Sequence, residues 1–122
     1  MKIQSVCHLT GLGKTTLRYY ERMGLIKDIP RDAAGHRDYA PDQLDWIALI
    51  KRLRATGMPM DQLQKLAKLR EEGEKSRREY CHILENHRNH IQRLLRETET
   101  HLRVMEEKIQ ACLKKKTSHR HE

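Results

Sequence analysis

The chain has 122 residues, enough for one domain of moderate core with an extension and too few for two independent folds. Its formal net charge of +8 points to a polyanionic partner, with a merely soluble basic protein as the plain alternative. Phe is absent, aromatics make up 4% and charged residues 34%, which argues against a large globular core and suits long helices.

Met1-Lys2-Ile3-Gln4 is followed by no continuous apolar run, so no signal peptide is expected and the protein reads as soluble and cytoplasmic. Val6-Cys7-His8-Leu9-Thr10-Gly11-Leu12 reads as a short helix running into a Gly turn. A second helix, Lys14 to Arg22, comes next and makes the pair a helix-turn-helix with Lys14 to Arg22 as its recognition helix. Residues three and four apart share a helix face, so Lys14, Thr15, Arg18 and Tyr19 point outward while Leu17 and one tyrosine turn inward. An ordinary helical hairpin with a charged solvent face is the competing interpretation.

Met23-Gly24-Leu25-Ile26 ends that helix, and Ile29 to Tyr39 then fits two short strands around the turn Asp32-Ala33-Ala34-Gly35. Such a wing holds Arg31, His36, Arg37 and Tyr39 beside the recognition helix; a disordered basic loop is the alternative. Pro41-Asp42 opens a helix whose Leu44, Ile47, Leu49, Ile50 and Leu53, with Trp46, form core as far as Gly57. A shorter helix from about Met60 to Arg70 buries Leu63, Leu66 and Ala67, and Met58 and Met60 read as packing residues.

Glu71 to Lys75 is a charged linker, and Ser76 is the expected N-cap of a long final helix. From Arg77 to about Leu113 there is no Pro or Gly, and a heptad repeat places Cys81, Arg88, Leu95, Leu102 and Ile109 at one seam position. Leu84, Ile91, Thr98, Met105 and Cys112 take the other. A helix of this length spans roughly 55 Å, so its apolar seam needs a second chain. No stretch reaches the roughly 20 apolar residues of a membrane span. Residues 114 to 122 read as a basic flexible tail.

In an antiparallel pair the numbers of facing residues add to a constant. The register that sets Leu84 against Ile109, Ile91 against Leu102 and Leu95 against Thr98 also sets Cys81 against Cys112. Three cysteines at irregular spacing make no secreted disulfide framework, so reduced thiols are the default. Cys81 and Cys112 are open to three readings: small seam residues, a redox switch, or a metal site completed by His119 or His121. His82, His90 and His101 read as solvent-facing or seam-flanking.

The motifs Thr10-Gly11-Leu12, Thr16-Leu17-Arg18-Tyr19-Tyr20-Glu21 with Gly24-Leu25, Gly35-His36-Arg37-Asp38-Tyr39 and Arg54-Ala55-Thr56-Gly57-Met58, in this order and spacing, resemble the MerR family of bacterial transcriptional regulators over about residues 3 to 113. The resemblance implies a mainly α fold: a winged helix-turn-helix over residues 1–70, a linker at 71–75 and an antiparallel coiled-coil dimerisation helix over 76–113. It also implies a homodimer on a pseudo-palindromic promoter in double-stranded DNA, distorting an overlong spacer to realign the elements seen by RNA polymerase. By the resemblance, Lys14, Thr15 and Arg18 would face the major groove, Tyr20, Arg37 and Tyr39 would hold phosphates, and Arg31 is a candidate wing contact.

Metal-sensing branches of that family carry cysteines in a loop beyond the dimer helix, where this chain has none after Cys112. Ala55 to Met58 and His87-Arg88 look more like the branch linked to aldehyde and electrophile stress, although Lys51 and Arg52 stand where its sensor thiol sits. The effector is left open, and no cofactor or separate drug-binding domain is implied. No Gly-rich phosphate loop, Ser/His/Asp set or His-Glu-x-x-His helix occurs, so no enzyme is expected. A basic coiled-coil interaction module is the rival from another class; it accounts for residues 76 to 113 but not for the wing residues beside the recognition helix.

Overall fold

The chain divides into two units, Met1–Leu84 and the residues from Glu85 onward, and the computed structural model describes residues 1–115. The first unit begins with α1 (Ile3–Thr10), which stops where Gly11 takes φ 75° and donates its N–H to the Cys7 carbonyl. A Cβ at Gly11 would stand 3.0 Å from Lys51 Nζ, which itself donates to the Thr10 carbonyl at 2.6 Å. The left-handed backbone is what favours glycine there, and a Cβ would also press on the tip of the lysine that holds the Thr10 carbonyl.

The second helix, α2, runs Lys14–Arg22, the span expected of the recognition helix. Leu17 and Tyr20 are its buried residues, so Tyr20 is the tyrosine that turns inward. The chain leaves α2 through Met23 and Gly24 into the buried pair Leu25 and Ile26.

Pro41 starts α3 (Pro41–Ala55), where its fixed φ and missing N–H cost nothing in a first turn. The Gln43 side chain reaches back to accept the Ala40 amide at 2.9 Å, half of a capping box. Trp46, Ile47, Ile50 and Leu53 are buried, and the Trp46 indole N–H donates to the Leu25 carbonyl at 2.7 Å. Leu63, Leu66 and Ala67 of α4 (Met60–Glu72) close the core with the fully buried Met58, each large side chain contributing about 1.5–3 kcal/mol of burial.

The stretch expected as a linker at 71–75 is instead the last turn of α4 and a 3-10 turn over Gly73–Ser76. Gly73 ends α4 with φ 74°, as a helix-stopping glycine does. Ser76 does not cap by accepting a backbone N–H; it is buried, and its hydroxyl donates to the Glu72 carboxylate. From there α5 runs Arg77–Lys115, so Lys114 and Lys115, expected in the tail, are helical, and the rest of that tail lies outside the described residues.

The expected pair of wing strands is reduced to one antiparallel bridge, Arg31 with Arg37. Pro30 has no N–H to extend the ladder, and the turn at Asp32 to Gly35 begins one residue after Arg31. The wing's internal bonds are local, Asp32 N–H to the His36 carbonyl at 2.8 Å and Asp38 N–H to the Pro30 carbonyl at 2.8 Å, while the Met1 ammonium ties to the Asp38 carboxylate and, at 2.9 Å, to the Tyr39 carbonyl. At its base the Tyr39 amide donates to the Met1 carbonyl at 2.7 Å.

Tyr80, Ile83 and Leu84, in the first two turns of α5, pack against the core of the first unit. Leu84, read as a seam residue, is therefore half-buried within its own chain. The other seam residues, Ile91, Leu95, Leu102, Met105 and Ile109, are 38–58% exposed. Among the described residues no helix is long and apolar enough to cross a membrane.

Candidate nucleic-acid interface

The outward face of α2 carries Lys14, Thr15, Arg18 and Tyr19, all exposed. The first turn of α2 has no acidic residue and its N-cap, Gly13, offers no side-chain bond. A helix start left without a carboxylate, with Lys14 beside it, keeps its positive end for an external anion. Tyr19 lies under the Arg22 guanidinium, whose carbon is 5.8 Å from the ring centroid.

Between this helix, the start of the chain and the wing lies a cleft of about 340 Å³, whose lining includes Lys2, Lys14, Arg18, Arg31, His36 and Arg37. Five of those six side chains are cations at neutral pH, four of them without, among the described residues, the carboxylate partner that Arg37 has in Glu21, so the cleft is electropositive by composition. The turn that presents Arg31 and His36 is built by Asp32, whose Oδ1 accepts the Ala34 amide at 2.9 Å and the His36 amide at 3.0 Å. Those bonds, first the one from His36, hold the Asp32 carboxyl below its ordinary range. Gly35 takes φ 83° in this turn, and its carbonyl accepts from Arg31 Nη1 at 2.8 Å, steadying that guanidinium on the surface.

Arg37 differs from its neighbours. Its Nε and Nη2 donate to Oε1 and Oε2 of Glu21, both at 3.0 Å, a two-pronged pair between the wing and α2. Arg37 lowers the Glu21 carboxyl below its usual pKa chiefly by that hydrogen bonding, and Glu21 in turn holds Arg37 more firmly protonated. The two phenols expected on phosphates, Tyr20 and Tyr39, have their rings in the core, 6% and 3% exposed. Burial raises the Tyr39 phenol above its ordinary pKa. Both rings pack in the core, so only their hydroxyls are placed to meet a ligand.

The structure thus gathers Lys14, Arg18, Arg31 and His36 around one cleft, leaves Thr15 and Tyr19 exposed on α2, and ties Arg37 into an ion pair. Sequence reasoning missed Lys2, whose signal was its charge beside the helix-turn-helix, and the partnership of Glu21, which no local pattern announces. It also missed Lys51, which holds the turn between α1 and α2 from 41 positions away.

The three cysteines are free, Cys81 and Cys112 exposed and Cys7 half-buried. Among the described residues no group of three or more His, Cys, Asp or Glu could hold a metal ion. His119 and His121, named for such a site, lie outside the described residues.

Residues 1–69 match the family described as MerR HTH family regulatory protein, and residues 44–112 match the one described as MerR, DNA binding. The transcriptional regulator AdhR of Bacillus subtilis is 36% identical over 91 residues, which are 75% of this chain and 65% of that regulator, just under two thirds of its length. The regulator HmrR of Rhizobium leguminosarum bv. viciae is 30% identical over 112 residues, 92% of this chain and 86% of that protein. Among solved structures, HiNmlR, a MerR family regulator lacking the sensor domain and bound to promoter DNA, superposes with a TM-score of 0.83 at 26% identity, covering 92% of this chain and 89% of that one. The sequence motifs, the helix-turn-helix with its wing and long helix, and these matches together establish that the chain belongs to the MerR family of helix-turn-helix regulatory proteins.

Proposed function

We propose that this protein is a cytoplasmic transcriptional regulator, not an enzyme, that binds a pseudo-palindromic promoter as a homodimer and distorts its spacer to control transcription under stress. The observation that carries this is the single basic face formed by α2 and the wing, on a chain whose structural neighbour is bound to promoter DNA. Lys14, Thr15, Arg18 and Tyr19 would enter the major groove, while Arg31, His36 and Lys2 would meet the backbone, contacts that position and carry no sequence information.

Homodimerisation has its own support in α5, whose seam from Ile91 to Ile109 is apolar and exposed in the single chain. Two antiparallel copies of α5 would carry two basic faces to two half-sites, and the overlong spacer between them is what the bound dimer would distort. An electrophile or oxidant as the signal rests on the exposed thiols Cys81 and Cys112.

Capture of genomic fragments by the purified protein, followed by gel shift on the recovered sequences, tests the proposal. An inverted repeat bound far more tightly than unrelated DNA is the expected outcome. Recovery of fragments with no common repeat, bound no better than bulk DNA, would favour the basic interaction module.

A further inference from the structure

The wing is a weakly built element. One bridge pair, a four-residue turn and a few backbone bonds give it no sheet to lean on; the Met1 ammonium, on the Asp38 carboxylate and Tyr39 carbonyl, fixes only its base, and an isolated hairpin of this size is marginal in water. Yet Arg31 and His36 can serve a double helix only if the wing is held at a fixed angle to α2.

Glu21 is the other unusual feature of this face. Its carboxylate sits within electrostatic reach of Arg37, Arg31 and Arg18. Left alone it would repel phosphate at the place where DNA is to dock. Here it is covered by the two-pronged bond from Arg37, with side-chain exposures of 33% for Glu21 and 24% for Arg37. The pair joins elements 16 positions apart in sequence and is neutral as a unit. A neutral pair spends a cation on shape.

We infer that the Glu21–Arg37 pair is a latch that sets the wing against the recognition helix, so that Arg37 is a positioning residue for the interface and not a phosphate ligand. The inference rests on the DNA-binding reading above. It assigns specificity to a contact wholly inside the protein: the wing angle decides whether Arg31 and His36 meet the backbone while Arg18 is in the groove.

Four variants test it: Glu21→Gln, Arg37→Gln, the double variant, and Arg37→Lys, which keeps the charge but cannot make the two-pronged bond. Each is compared with the wild type on the captured inverted repeat and on unrelated DNA over a range of salt, after a thermal melt confirms folding. The latch predicts that both glutamine variants and Arg37→Lys lower the ratio of operator to unrelated affinity by roughly three- to thirtyfold, with the double variant no worse than the worse single one. The double variant exchanges one neutral pair for another, so its slope of log affinity against log salt should equal that of the wild type. Without DNA, the Asp32 and Asp38 amides of the wing should exchange hydrogen faster in all four.

A phosphate ligand behaves otherwise. Then Arg37→Lys would match the wild type, Glu21→Gln would lose no discrimination, and the double variant would lose about 0.9 from the slope, one phosphate contact. That pattern overturns the latch. A wild type that binds no repeat at all would instead overturn the function on which the latch depends. Should Arg37→Gln fail to fold, Arg37→Lys against the wild type decides the matter alone.

Discussion

Arg18 stands exposed on the outward face of α2, one helical turn from Lys14, and lines the basic cleft. Its replacement by alanine would remove the proposed base-edge or phosphate contact without disturbing the core, and should cost about 1–3 kcal/mol of operator binding, measured by gel shift on a protein with an unchanged melt. Trp46 poses the opposite case. Its indole N–H is the partner of the buried Leu25 carbonyl, so Trp46→Phe should keep most of the packing but lower stability by about 1–3 kcal/mol in urea titration, the cost of an unpaired buried acceptor. The Glu21 carboxyl has a depressed folded-state pKa, so the stability it lends is complete above the ordinary carboxylate range and is lost as pH falls through the lowered value. Between pH 7 and pH 6, then, melts of the wild type and of Glu21→Gln should differ by the same amount. At this scale the sequence was legible where one helix face sufficed, as in separating Tyr19 from one inward tyrosine. It was silent on Glu21 with Arg37 and on Lys51 with Thr10, because those pairs exist only after distant elements pack.

The helices were legible because their ends carry chemistry that acts locally. Pro41 at a first turn, Gly11 and Gly73 past last turns, and the long stretch after Arg77 without Pro or Gly all act within a few residues of themselves. The wing was legible as a turn, from Asp32 and Gly35, but not as a single bridge: strand length depends on what the ladder can pair with, and Pro30 removes a donor. The linker was misread for a similar reason. Glu71 and Glu72 look like solvated charge, yet Lys27 pairs with Glu71 at 3.6 Å and Ser76 with Glu72, and α4 continues through both. The exposed seam of α5 makes a demand of its own. Leu102→Asp places a charge in the proposed seam while leaving the first unit untouched, so sedimentation should show monomers where the wild type gives dimers, with the melt of the first unit unchanged.

At the scale of the whole molecule, net charge and seam register connect the parts. The antiparallel register expected from the sequence, Leu95 with Thr98, would set Cys81 of one chain against Cys112 of the other. Mild peroxide treatment should therefore give a covalent dimer on non-reducing electrophoresis, absent in both Cys81→Ser and Cys112→Ser. A dimer doubles the basic face, and each phosphate neutralised releases condensed counterions. That two copies of this chain act together on one inverted repeat is tested most directly by measuring stoichiometry and salt dependence of binding to the captured operator by sedimentation. The expected result is two chains per operator and log affinity falling against log salt with a slope of several units, on the order of 0.9 for each phosphate contact. One chain per operator, or binding indifferent to the second half-site, would contradict it.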